Sequence, residues 1–346
     1  MTVSQRTFSP FYDPTALAVA ARHFRFLPDP AGLGIFPWVE GRRFFFRILE
    51  LAGHPYADYR SVAEHVASLD TLLAIRPGGI IEFGCIGEMD PAHVSIAWWA
   101  NRHHLLLVPV TLARAPYLDI AGSWEEYRAA KRAKSWKNIS RAQKLLEEKA
   151  GPLSFRILEA PEAIAGVFDS CMSLYTANWS RMNSSSIFLS ETGRRFLKDL
   201  LVTLSQEGKA EISLLEQGTV LLAFSMSLKR DGGYYFYVFA TNKVAEFETY
   251  SVGKILIRDL LESVFARRFT RFDFMAGEEP YKYEWTKCSQ GRTSYYAVRD
   301  TFKGRAILSS FLALSRCVAL LKRQRWLRRL LSCLPAVKVG GMGRKR

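Results

Sequence analysis

The chain has 346 residues, enough for two domains with ordinary cores, and its 49% hydrophobic and 13% aromatic content excludes a disordered protein. The net charge of +15 is concentrated: residues 299–346 hold thirteen of the 48 Lys and Arg but one of the 33 acids, so a nearly neutral body precedes a basic tail. Five scattered cysteines with no C-x-x-C pair argue against a disulfide framework or zinc site and for a reduced, cytoplasmic setting.

The apolar patch Ala16 to Ala21 is too short for a signal-peptide core, and Asp13 and Pro14 precede it. Residues 1 to 120 alternate short apolar runs with turns, in a mixed α/β pattern. The runs are Arg42 to Leu51, a helix-like Tyr59 to Ile75, Ile80 to Cys85 and Leu105 to Leu112. All six histidines lie here; His103 and His104 are neighbours on what reads as a strand, where they would point to opposite faces and not readily share a metal.

Ser123-Trp124-Glu125-Glu126 has the form of a capping box, and the helix it opens is expected to run to about Lys149, where Gly151-Pro152 ends it. Lys134, Lys137, Arg141 and Lys144 share one face of that helix, either as a solvated stripe or as an anion-facing one. A strand at Phe155 to Glu159 follows, then helices from Pro161 to Trp179 and from Ser190 to near Gly208. Strands at Ala210 to Glu216, Thr219 to Leu228 and Tyr234 to Ala240, joined by glycine-containing turns, read as an antiparallel meander. Ser251-Val252-Gly253-Lys254 opens a helix to about Arg268, and Arg271 to Phe274 is a further strand, so strand, helix and strand form a parallel crossover unit. A glycine and free amides at that helix start suit a phosphate.

The densest stretch is Asp273-Phe274-Met275-Ala276-Gly277-Glu278-Glu279-Pro280-Tyr281-Lys282-Tyr283-Glu284-Trp285, which packs a turn, carboxylates, phenols, an amine and an indole into thirteen residues. Tyr295 to Arg299 adds a last strand. No G-x-S-x-G elbow or G-x-G-x-x-G loop is present, and Gly253-Lys254 lacks the rest of a P-loop.

A meander, an aromatic strand, a phosphate-facing helix start and a closing strand resemble the core of the GNAT acyltransferases. Pro116-Tyr117-Leu118-Asp119, the basic stretch Ser135 to Lys144, and Asp273-Phe274, Gly277, Tyr281-Lys282 and Trp285 resemble the CelD-type branch associated with cellulose and exopolysaccharide biosynthesis. The basic helix and Tyr-Lys element are also similar to Fem-type peptidyltransferases, which use aminoacyl-tRNA. The resemblance spans roughly residues 40 to 298. It implies an α/β protein of two tandem GNAT-like domains, 1–150 and 151–298, with a basic amphipathic tail at 299–346. The usual Arg/Gln-x-x-Gly-x-Gly/Ala loop is reduced here to Tyr250-Ser251-Val252-Gly253-Lys254.

From that resemblance the co-substrate is acetyl-CoA or another acyl-CoA, with no metal, gripped at Ser251, Val252, Gly253 and Lys254; the bland alternative is an ordinary helix start. Asp273 is either a desolvated base or the cap of the next turn. Tyr281 returns a proton to the leaving thiolate and Lys282 stabilises negative charge, while Lys137, Arg141, Trp179, Gly277 and Trp285 face the acceptor. The acceptor is a small molecule or glycolipid, and charged tRNA enters only as the alternative donor. In the tail, Leu320, Leu327, Leu330, Leu331 and Leu334 oppose Lys322, Arg325 and Arg329 with Trp326 at the flank. This reads foremost as an interfacial helix on an anionic inner membrane face, against a nucleic-acid contact or docking on the body.

Overall fold

The alternating apolar runs of the first hundred residues become strands of a mixed sheet. The computed structural model describes residues 9–27, 37–53, 56–60, 70, 79–131, 133–181, 186–243, 247 and 250–323. By internal contacts the chain divides into two units. One comprises Met1–Thr7, Arg25–Leu112 and Arg292–Arg346, and the other Phe8–Phe24 and Ala113–Gly291.

In the first unit, Trp38–Arg43 and Phe46–Leu51 form an antiparallel hairpin, and Phe46–Leu51 runs parallel to Ile80–Gly87. Ser289–Arg299 pairs antiparallel with Ile80–Gly87 through a bulge between Thr293 and Tyr295. The helix Phe302–Arg323 lays Leu308 and Phe311 over Phe46, Ile48, Ile80, Tyr296 and Val298. Leu308 and Phe311 lie at the start of the tail, whereas Leu320, on its expected apolar stripe, is 60% exposed. Trp326 and Leu327 to Leu334 lie outside the described residues, as does most of the expected helix Tyr59 to Ile75. Among the described residues no helix is long and apolar enough to cross a membrane.

The second unit is built on the expected meander. Leu153–Leu158, Ala210–Gln217, Val220–Arg230 and Gly233–Thr241 pair antiparallel in that order. Arg271–Asp273 then pairs parallel with Gly233–Tyr235 and antiparallel with Tyr117–Asp119. Val252–Ala266 is the crossover helix, and it buries Ile255, Leu256, Leu260, Leu261 and Val264 against the sheet. That spacing of apolar residues at three and four is what a helix packed along one face requires.

The capping box forms: the Glu126 N–H donates to Ser123 Oγ at 3.1 Å, and the Ser123 N–H donates to Glu126 Oε2 at 2.8 Å. The helix it starts is shorter than expected. Trp124–Ala130 ends at Lys131, whose backbone is extended, and a second helix runs Ala133–Ala150. The reason lies in two tryptophans. In an unbroken helix, residues twelve apart stand about 18 Å apart along the axis and about 120° around it. Here Trp124 and Trp136 meet edge-on, centroids 5.4 Å apart, in one core. The break brings both indoles to the same side, and the apolar burial gained exceeds the cost of the interrupted helix bonds.

A buried ionic knot ties this sheet to its crossover helix. Glu211, 0% exposed, accepts from Arg267 Nη1 at 2.6 Å and Nη2 at 2.9 Å, from Lys229 Nζ at 3.0 Å and from the Tyr234 hydroxyl at 2.7 Å. These partners come from two further strands and the helix C-terminus.

Candidate active site

The site begins where two parallel strands part. Gly233–Thr241 pairs with Arg271–Asp273 only as far as Tyr235 and Asp273. Beyond that, Phe274 turns to donate its N–H to Pro116 O at 3.0 Å, while the other strand continues for six residues. The crossover helix starts beside this continuing strand. Its cap, Ser251, sits in the left-handed region (φ 51°) with no side-chain cap bond. Lys254 N–H returns to Ser251 O at 2.8 Å, and the Val252 and Gly253 amides of the first turn have no acceptor among the described residues.

Gly253 is dictated by packing. A Cβ there would lie 2.8 Å from Thr241 Cγ2 and 2.9 Å from the Phe239 ring, which are closer than van der Waals contact allows. We expect Gly253→Ala to shift the helix start and cost about 1–3 kcal/mol, read as a lowered Tm. An unchanged Tm would mean that the ring and methyl yield freely.

The thirteen-residue motif holds itself in place. Asp273, 1% exposed, accepts the Met275 N–H at 2.7 Å and Gln290 Nε2 at 3.1 Å, which is the turn-capping geometry. Met275 (φ 63°) and Gly277 (φ 109°) take left-handed conformations as the loop reverses, and Gly277 N–H donates to Arg114 O at 3.1 Å. Lys282, 4% exposed, points its ammonium into the loop. It donates to Ala276 O at 2.7 Å, lies 3.4 Å from Met275 O and Gly277 O, and pairs with Glu279 at 2.9 Å. Tyr281, on the short helix Pro280–Tyr283, packs against Phe239; burial, with the Glu279 charge second, holds its phenol well above the usual tyrosine range.

Glu284 and Trp285 close the motif against the basic helix. Glu284 pairs with Lys254 at 2.7 Å, which links the motif to the first turn of the crossover helix. Lys131 Nζ donates to Trp285 O at 2.6 Å and Glu284 O at 3.2 Å, and Tyr127 donates to Trp285 O at 2.6 Å. Burial, helped by the nearby Lys287 charge, pulls the Lys131 ammonium below the usual lysine range. The Trp285 indole stands edge-on to Trp136, and its buried N–H has no partner among the described residues. Lys131, Trp136, Ile139, Glu284 and Trp285 line a small, shallow cleft.

Of the residues singled out in the sequence, Ser251, Val252, Gly253, Lys254, Asp273, Gly277, Tyr281, Lys282 and Trp285 thus lie around one strand divergence. Lys137 and Arg141 are exposed on the helix that carries Trp136. Trp179 is elsewhere: it packs on Tyr175, which meets Phe188 and through it Tyr237, on the sheet face opposite the crossover helix. Sequence reading passed over Lys131 and Tyr127. No local signal marks either, because their partners lie more than 150 residues away. Among the described residues no cluster of His, Cys, Asp or Glu has the form of a metal site.

Residues 133–283 match the acetyltransferase (GNAT) domain family. The fold is GNAT-like. Among solved structures, the C-terminal domain of a putative lysylphosphatidylglycerol synthetase from Agrobacterium fabrum shares 11% identity at a TM-score of 0.54, covering 87% of this chain and 92% of its own. L-PGS from Bacillus licheniformis shares 13% identity at a TM-score of 0.52, over 91% of this chain and 99% of its own. FemX shares 10% identity at a TM-score of 0.48, over 76% and 83%. No curated protein sequence matches significantly. The GNAT domain match supports acyl transfer as the chemistry.

Proposed function

We propose that the second unit moves an acyl group from acetyl-CoA or another acyl-CoA to an amino or hydroxyl group of a sugar, glycolipid or polysaccharide precursor. The observation that carries this reading is the parting of Gly233–Thr241 from Arg271–Asp273 beside a helix start whose Val252 and Gly253 amides have no acceptor among the described residues. Unpaired N–H groups at a helix N-terminus favour an anion, and Val252, Gly253 and the Lys254 ammonium would hold the phosphates of coenzyme A. When bound, that co-substrate supplies the activated thioester.

In the transfer, the acceptor's lone pair forms the new bond to the acyl carbon as the carbon–sulfur bond breaks. Glu284, the motif carboxylate that lines the cleft, takes the acceptor's proton. Tyr281, kept protonated by burial, returns one to the thiolate. Asp273 and Lys282 serve by fixing the loop from Met275 to Gly277, through its N–H and carbonyl groups. Trp136 and Trp285 wall the acceptor, and Lys137 and Arg141 meet its anionic portion. Residues 1–150 and 151–298 are read as a tandem pair of GNAT-like domains. A cytoplasmic location follows, with the basic tail against the anionic inner membrane face.

One observation favours a second reading. Lys134, Lys137, Arg141 and Lys144 are all exposed on one helix face, a stripe that suits the phosphates of a charged tRNA donor, as in Fem-type transfer.

Calorimetric titration with acetyl-CoA and a longer acyl-CoA tests the first reading. We expect binding that Lys254→Ala weakens about ten-fold, since a charged hydrogen-bond partner contributes roughly 1.5 kcal/mol or more. Lys254 is partly exposed, so the variant keeps its fold. If the folded protein binds neither donor but retains charged tRNA with a steep salt dependence, the second reading replaces the first. Binding of none of them would leave a non-catalytic GNAT-fold protein.

A further inference from the structure

Two phenylalanines stand in water at one end of the first unit's sheet. Phe45 is 74% exposed and Phe302 is 91% exposed. Register places them together. Arg43 pairs with Phe46 at the hairpin end, Ile48 pairs with Ile80, and Ala297 pairs with Ile81, so the link Phe44-Phe45 and the segment after Arg299 leave the sheet at the same edge. One strand separates the two exits, a spacing of ~10 Å.

The link is an unusual place for aromatics. Phe44 has φ 59° in a two-residue hairpin turn, a position that favours Gly, Asn or Asp. Phe44 itself is accounted for, because its ring reaches Phe311 in the core. Phe45 is not: its ring contact is with Phe46, and most of its surface faces solvent. The strand ends and helix start that carry the two rings also carry exposed cations, Arg42, Arg47, Arg299, Lys303 and Arg305. The nearby carboxylates are fewer: Glu40 pairs with Arg47, and Asp300 pairs with Arg305 at 2.6 Å.

We propose that this sheet end, with Phe45 and Phe302 at its tips and Arg42, Arg299 and Lys303 around them, is a contact surface for an anionic lipid bilayer. The inference stands apart from the transfer chemistry above and from the tail beyond residue 323. Shape and charge decide the occupant. Separate aromatic tips offer little flat area to a folded partner, whereas the bilayer interface surrounds each ring and its phosphates meet the flanking cations. Each cation at an anionic leaflet adds about five-fold to binding.

Flotation of the full chain with phosphatidylcholine vesicles, with and without phosphatidylglycerol, tests this. We expect binding to the phosphatidylglycerol vesicles that falls at least ten-fold in a Phe45→Ser/Phe302→Ser variant. Loss should be about twenty-five-fold in an Arg42→Gln/Arg299→Gln variant. All four side chains are exposed, so circular dichroism and Tm should stay as in the wild type. A phenylalanine variant that floats as well as the wild type would assign lipid binding to the chain beyond residue 323 and overturn the proposal. So would a wild type that floats with neither vesicle. Phenylalanine-dependent self-association in sedimentation, without vesicle binding, would make a second copy the occupant instead.

Discussion

Replacing Lys282 by alanine is expected to lower both stability and turnover, and the two losses share one cause. The ammonium is buried and serves three carbonyls and the Glu279 carboxylate within one loop. Without it, those carbonyls lose their donor, and the methylene stem leaves a cavity. The combined cost is about 2–4 kcal/mol. The loop also presents Tyr281 and Glu284, so its loosening should misplace both. A misplacement of ~1 Å at a reacting centre costs on the order of a hundred-fold in rate. We therefore expect a fall of that size in kcat/KM, with Tm measured in parallel. Lys282→Met restores the stem but not the donor and should recover part of the Tm and little of the rate. A Lys282→Ala protein with unchanged Tm and rate would remove this residue from the site.

Acid should open the protein through Glu211. Burial alone would raise its pKa, but the Arg267 fork, the Lys229 charge and the Tyr234 hydroxyl overcome burial and bring it from 4.5 down to about 2. A carboxylate whose pKa is depressed on folding contributes stability that is complete above its unfolded value. That contribution is lost as pH falls through the folded one. The window is thus between about pH 4.5 and about pH 2. Its size is roughly 3 kcal/mol, from ~1.4 kcal/mol per unit. Glu211→Gln should abolish this pH dependence. Because it leaves Arg267 and Lys229 without their buried counter-charge, it should also cost about 3–5 kcal/mol at neutral pH. Denaturant midpoints followed from pH 7 to pH 2 would show both. Parallel decline of wild type and variant would mean that other carboxylates carry the acid sensitivity.

Much of the second unit was legible in sequence because its signals are local. The meander strands end at glycine turns, and Ser123 with Glu126 spells its own cap. The density of the stretch from Asp273 to Trp285 also drew attention to one place in the fold. What that density did not tell was how each side chain is occupied. Asp273 finds Gln290 seventeen residues on, and Lys282 bends back onto its own loop, so neither geometry follows from residue type.

The sequence by itself determined the mixed α/β composition, the meander, the crossover helix and the charge asymmetry between body and tail. Each rests on periodicity or turn chemistry read within a few residues, where neighbouring side chains and backbone preference suffice. Tertiary structure decided the break at Lys131, the arrival of Lys131 and Tyr127 at Trp285, the separation of Trp179 from the motif, and the shared sheet end of Phe45 and Phe302. Those depend on which strands pair across a hundred residues or more. Such pairing is set by the total apolar surface that the whole arrangement buries, a quantity that no short stretch of sequence contains.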